Sequence, residues 1–353
     1  MIGKHILDLA PTPENKRNSE GAFIKLNNGD ILFAYSRFRH DSALDHAACD
    51  LYGMISHDDG DTFGDIFPIL KHENVDADNV MSVSLMRMQN GDIGLFYGQK
   101  KGNDCILYLI RSSDEGQTWS HPIRTLNEEG YYVLNNDRVV MLSNGTILLP
   151  LAYHNTLDDF KPGKLYVSAS YDDGYTWQTI ARDLTMPLSR GLTTGVQEPG
   201  ILELENGRLW CYARTDAGRH YECFSTDGGL TWSDFLPSPF QAPCSPLSTK
   251  RLSDGRIIAI WNPIPFCYGR SQHGYAVHTA ARSPLVIAVS TDGGDTFAAP
   301  IPIETDEGAG YCYTAIYELK DSILISYCAG GPGDKTNLAR TRIKKIYFDE
   351  LGQ

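Results

Sequence analysis

A short pattern, Ser-x-Asp-x-Gly-x-Thr-Trp/Phe, recurs along the chain and limits what it can fold into. It starts at Ser56, Ser112, Ser170, Ser225 and Ser290, and successive starts differ by 56, 58, 55 and 65 positions. Self-similarity at a near-constant period marks an array of one supersecondary unit. The residue types suit a tight turn. Ser and Asp bond back to nearby backbone, Gly supplies a positive φ, and the terminal Trp or Phe buries its ring beneath. An apolar stretch precedes each copy, as in LVIAV before Ser290. Each copy is therefore expected at the tip of a hairpin, in a folding role.

A second repeat interleaves with the first. FIKLNNGDILFAYS, LMRMQNGDIGLFYG, VVMLSNGTILLPLAY, ILELENGRLWCYA, STKRLSDGRIIAIW and AIYELKDSILISYC each read as strand, turn, strand. All but the last carry Asn-Gly or Asp-Gly, the strongest short hairpin signal; the last has Lys320-Asp321. Each unit except the last is followed by the first pattern. Six units of about four short strands, with almost no helical periodicity, predict an all-β fold, a six-bladed β-propeller. A ring must close, so the segment Lys4–Leu9 is expected to join the last blade beside ARTRIKKIYF. Nothing in the sequence reads as a linker, and residues 1–353 are expected to form a single domain.

Composition narrows the function classes. With 42% hydrophobic and 21% charged residues, the chain has the make-up of a folded globular protein. Its net charge of −13 argues against a nucleic-acid partner. No apolar run reaches the roughly 20 residues of a membrane helix, and no membrane partner is expected. The N-terminal MIGKHILDLAPTPENKRNSE lacks a basic segment followed by a long apolar stretch. A cytoplasmic location is expected, or a secreted or periplasmic one if a leader has been removed. The eight cysteines include no C-x-x-C and are expected as buried thiols. The histidines show no metal-ligand spacing, and no metal or cofactor is expected.

The recurring boxes resemble the Asp-boxes of the sialidase (neuraminidase) superfamily, and the likeness runs along nearly the whole chain. In that superfamily three arginines hold a sugar carboxylate, a tyrosine attacks the anomeric carbon, a glutamate takes its proton, and an aspartate on a first-blade loop is acid/base. The resemblance implies Glu198 and Arg214 from QEPGILELENGRLWCYAR, Arg282 from ARSPLVIAVSTDGG and Tyr313 from YCYTAIYEL. Tyr311, two positions away on the same strand face, is the alternative to Tyr313. In SRFRHDSALDHAACDLYGMIS, Asp45 is nearest the expected acid/base place, with Asp41 and Asp50 as competitors, and Arg37 stands where the family often has another arginine. Asp137, Gln197 and Asp216 are further candidates for binding sugar hydroxyls.

One departure stands out. The leading arginine of the family motif is replaced in NSEGAFIKL by Ser19 or Glu20. An acidic side chain there would repel a carboxylate substrate. Either another arginine completes the clamp, for which Arg138 in YYVLNNDRVV is the candidate, or the substrate differs.

The implied chemistry is physically coherent. Arginine pairs bidentately with a planar carboxylate and stays charged. A neutral phenol approaches an anomeric carbon bearing a carboxylate without the repulsion a carboxylate nucleophile would meet. The expected function is thus retaining glycoside hydrolysis of a terminal sialic acid or related acidic sugar on a glycan. The alternatives are a non-catalytic carbohydrate- or protein-binding propeller, and a hydrolase or lyase for another acidic sugar.

Overall fold

The structure is a computed structural model that describes residues 1–39, 42–188, 192–265 and 282–352. Its strands form six antiparallel sheets arranged as a six-bladed β-propeller. Blades one and two begin at Arg17–Lys25 and Asn79–Arg87. Blade three has Tyr132–Val133 and Val140–Met141 against Ile147–Asn155. Blades four, five and six begin at Gln197–Glu203, Ser248–Arg251 and Cys312–Glu318. The last blade is completed by Lys4–Leu9, which pairs antiparallel with Thr341–Tyr347, as expected. An Asp8–Arg342 ion pair at 2.8 Å reinforces that join.

The packing follows from strand geometry. Successive residues of a strand point to opposite faces. In Ile31–Phe38 of blade one, Ile31, Phe33 and Tyr35 pack towards Leu324 and Ile343 of blade six. Leu32 and Ala34 pack towards Val83 and Leu95 of blade two. Both faces are buried because each blade is sandwiched between two others, so the central strands read as continuous apolar runs. Such a cluster fills each of the six blade interfaces.

The recurring boxes link the third and fourth strands of blades one to five. In the first, Ser56 Oγ donates to Asp58 Oδ1 at 2.8 Å and accepts from Gly60 N at 2.8 Å. Asp58 also accepts from the backbone N and hydroxyl of Thr62, at 2.8 and 2.6 Å. The same bonds recur around Asp114, Asp172, Asp227 and Asp292. Gly60 has φ +85°, and a Cβ there would lie 2.4 Å from Leu324 Cδ1. The box thus turns the chain and also seats against the next blade. The seven described cysteines are buried and free; Cys267 lies outside the described residues. Among the described residues, no helix is long and apolar enough to cross a membrane.

Candidate active site

The inner strands do not run straight. Pairing with the second strand slips between Ser19 and Ala22, Met81 and Ser84, Gln197 and Gly200, and Cys312 and Ala315. Inside each slip one non-glycine residue takes a left-handed conformation: Glu20 (φ 56°), Ser82 (φ 63°), Glu198 (φ 44°) and Tyr313 (φ 59°). Such backbone costs about 1–3 kcal/mol per residue. A bulge re-aims the side chain it carries. Here the four re-aimed side chains all line one cavity of 580 Å³.

One wall is built from blades four, five and six. The Tyr313 hydroxyl donates to Glu198 Oε1 at 2.8 Å. Arg214 Nη1 donates to the same carboxylate oxygen at 2.7 Å and to the Tyr313 oxygen at 3.2 Å. Arg282 lies over the Tyr313 ring, 5.5 Å from its centre. Both guanidinium groups are backed by sulfur: Arg214 Nε reaches Cys244 Sγ at 3.2 Å, and Arg282 Nη1 reaches Cys312 Sγ at 2.9 Å. Burial alone would raise the Glu198 pKa, but the charge and hydrogen bond of Arg214 hold it below the usual glutamate value. Burial and then the Glu198 charge push the Tyr313 phenol well above its ordinary value, against the pull of Arg214 and Arg282. The proton therefore sits on Tyr313, hydrogen-bonded to the Glu198 carboxylate.

The facing wall comes from blades one and two. Arg17, buried to 1% exposure, donates to Asp45, to Glu20 Oε1 at 2.5 Å and to Ser19 Oγ at 2.8 Å. Its guanidinium lies 4.4 Å from the centre of the Phe38 ring. Ser82 Oγ donates to the other Glu20 oxygen. Lys100 Nζ donates to the Asp45 carbonyl at 2.7 Å. Burial would raise the Asp45 pKa, but the charges of Arg17 and Lys100 override it and hold the carboxyl well below the usual range. Glu20 is shifted the other way, upward, by burial and by the Asp45 charge.

Of the residues expected from sequence, Tyr313, Glu198, Asp45, Arg214, Arg282 and Gln197 all line the cavity. Two expected arginines do not. Arg138 reaches Tyr212 Oη at 3.3 Å, Ser248 Oγ at 3.4 Å and the Leu247 carbonyl. It is a buried brace between blades three, four and five. Arg37 lies over the Tyr52 ring, 4.8 Å from its centre, away from the cavity. Its strand neighbour Ser36 is on the face that accepts a bond from Ser82 N, so alternation turns Arg37 to the other side.

Two of the alternatives lie away from the cavity. Tyr311 is buried between blades five and six against Tyr327. Asp50 is buried and committed to His72 and Arg39; Asp41 lies outside the described residues. Asp137 accepts from Ile316 N, and Asp216 from Thr193 and Thr194. Sequence reasoning missed Arg17, three positions before Glu20. The one signal for it was an arginine opening a strand that is otherwise buried along most of its length. Among the described residues, no group of three or more His, Cys, Asp or Glu is placed to hold a metal ion.

A six-bladed propeller built of such repeats is an architecture this chain shares with the sialidase superfamily. The chain belongs to the BNR repeat-like domain family, whose model matches residues 69–325. It is 27% identical over 242 residues to a sialidase of Paraclostridium sordellii, a match covering 60% of this chain and 56% of that protein. It is 25% identical over 245 residues to a sialidase of Bacteroides fragilis, covering 65% of this chain and 40% of that protein. The chain thus spans about half the length of these curated relatives. Among solved structures, a Dyadobacter fermentans protein of unknown function superposes with a TM-score of 0.73 at 19% identity, covering 98% of this chain and 99% of that one. The intramolecular trans-sialidase of Ruminococcus gnavus superposes with a TM-score of 0.72 at 15% identity, covering 99% and 98%. At these identities the structural likeness speaks for the fold.

Proposed function

We propose that the chain is a sialidase-like glycoside hydrolase that removes a terminal sialic acid or related acidic sugar from a glycan with retention. The observation that carries this reading is the hydrogen-bonded set Tyr313–Glu198–Arg214, with its 2.8 and 2.7 Å contacts. In the first step the Tyr313 oxygen bonds to the anomeric carbon as its proton passes to Glu198. The glycosidic bond breaks, and the leaving oxygen takes a proton from Asp45. In the second step Asp45 removes a proton from water. The water oxygen displaces Tyr313, which recovers its proton from Glu198. Arg214 and Arg282 hold the sugar's anionic group beside the reacting carbon. Asp45, held as a carboxylate by Arg17 and Lys100, is in the form the second step needs. A sugar seated over it removes water and favours the protonated form that the first step needs.

The test is turnover of a fluorogenic α-sialoside, and of glycosides of other acidic sugars, by the purified protein. Positioned proton transfer contributes about 10²–10⁴-fold to rate. Glu198→Gln should therefore lower kcat by about that factor, and Tyr313→Phe should remove retaining turnover. Folded protein that turns over none of these glycosides would refute the reading.

A further inference from the structure

The cavity is graded from floor to rim. At the floor, Glu198 is bonded to Tyr313 and its side chain is 12% exposed. Asp45 stands nearer the rim, with a side chain 57% exposed. A glycosidic bond cleaved between them has its anomeric carbon at Tyr313 and its leaving oxygen at Asp45. The leaving group then lies on the outward, Asp45 side, against whatever surface the protein offers there. That surface is apolar. Of the large apolar side chains exposed among the described residues, Leu44 at 73% and Phe160 at 50% line the cavity. Leu44 precedes Asp45 in the chain. From His46, which follows it, ring contacts lead on to Phe160: His46 to Tyr131 at 6.2 Å and Tyr131 to Phe160 at 5.7 Å between ring centres. Lys100 ties this run to Asp45, donating to its carbonyl at 2.7 Å while lying 5.8 Å from the centre of the Tyr131 ring.

Phe160 is exposed and yet held in place. It opens the strand Phe160–Ser170, where it pairs with Asn155. Its ring stacks on that of His154, 4.2 Å away and inclined by 11°. The His154 ring is itself fixed, because its Nδ1 donates to the Lys161 carbonyl at 2.9 Å. A ring fixed in this way loses little freedom when a ligand covers it, and covering it removes apolar surface from water. We infer that Leu44 and Phe160 are the platform for the leaving group, and that they hold a second sugar ring by its C–H face. This rests on the glycosidase reading above and adds a substrate class to it. The preferred glycosides join the acidic sugar to a further pyranose, which reaches the platform; a small alcohol does not. Contact with that remote ring supports the transition state and so enters kcat/KM.

The experiment compares two glycosides of one acidic sugar by release of the free acid. The pair is methyl α-sialoside and sialyllactose, or the matching pair for another acidic sugar that the turnover screen identifies. The quantity read is the ratio of kcat/KM for the lactoside over the methyl glycoside. Phe160→Ala should lower this ratio about tenfold, the effect of burying much of one phenyl ring. Phe160→Leu keeps bulk over His154 but not the flat ring, and should lower it less. Leu44→Ala should act in the same direction by a smaller factor. Phe160→Trp should restore the wild-type ratio, whereas a merely structural role would move both substrates together. A wild-type ratio in folded Phe160→Ala and Phe160→Leu proteins would overturn the platform and leave the glycosidase reading intact. A wild-type protein that cleaves neither member of any such pair would overturn both.

Discussion

The two walls of the cavity are built from the same parts in opposite balance. Each has an arginine bonded to a glutamate that a bulge has turned towards the propeller axis. On the Tyr313 side one carboxylate shares its arginine with a phenol, and a second arginine stands by. On the Asp45 side two carboxylates share one arginine. The first arrangement holds a proton between the tyrosine and the glutamate. The second uses its cation up internally and presents acceptors. What an arginine contributes to a site is therefore set by how many carboxylates share it, and this differs across a single cavity.

Removing the shared cation tests that contrast most severely. Arg17→Met leaves Glu20 buried without the cation bonded to it. Breaking a buried ion pair from one side costs about 3–5 kcal/mol, and a loss of that size is expected in chemical denaturation. The double variant Arg17→Met/Glu20→Met removes both charges and should recover most of the loss. If the single variant unfolds at the wild-type denaturant concentration, the pairing on this wall is not a structural one.

Arg138 gives a smaller effect with a different signature. It was the sequence-based candidate for the missing clamp arginine, yet its contacts are hydroxyls and a carbonyl deep between blades. Arg138→Leu leaves the Leu247 carbonyl and the Ser248 hydroxyl oxygen without this donor, at about 1–3 kcal/mol. It should lower Tm and leave KM for any turned-over glycoside unchanged. A steep rise in KM with unaltered Tm would return Arg138 to the clamp and break the division between the walls.

These two arginines show what the sequence could and could not carry. The boxes were legible because their bonds run from residue i to i+2 and i+4, as from Asp58 to Ser56 and Thr62. The paired turns were legible for the same local reasons, and the closing segment Lys4–Leu9 because a ring of blades must close. Glu198, Arg214, Arg282 and Tyr313 were reached through the resemblance to the sialidase superfamily, on motifs that each lie within a single blade. Arg17 was not reached. Its place depends on a slip of pairing between Ser19 and Ala22. It also depends on a distant loop bringing the Ala43 carbonyl and the Asp45 carboxylate onto its guanidinium. Arg37 and Arg138 failed similarly, since strand-end position does not tell which face or which blade a long side chain meets.

The smallest expected effect concerns the boxes, which lie away from both walls and give the comparison its background. Hydrogen bonds from the threonine side chain, then mainly from backbone and serine, hold Asp114 at a pKa of about 2, and Asp58, Asp227 and Asp292 are likewise at about 2. An unfolded aspartate titrates near about 3.9. The folded value is the lower one, so the boxes contribute their full stability above the unfolded pKa and lose it as pH falls through the folded pKa. Tm should therefore drop between about pH 4 and about pH 2. Thr118→Val removes the donor to Asp114 Oδ2. It should lower Tm slightly at neutral pH and make the acid-induced fall shallower, because one of the depressed carboxyls has moved back towards its ordinary value. An acid-induced fall of the same depth in this variant would show that the pH dependence arises elsewhere, with Asp45, Asp50, Glu198 and Asp334 among the other carboxylates whose folded values are depressed.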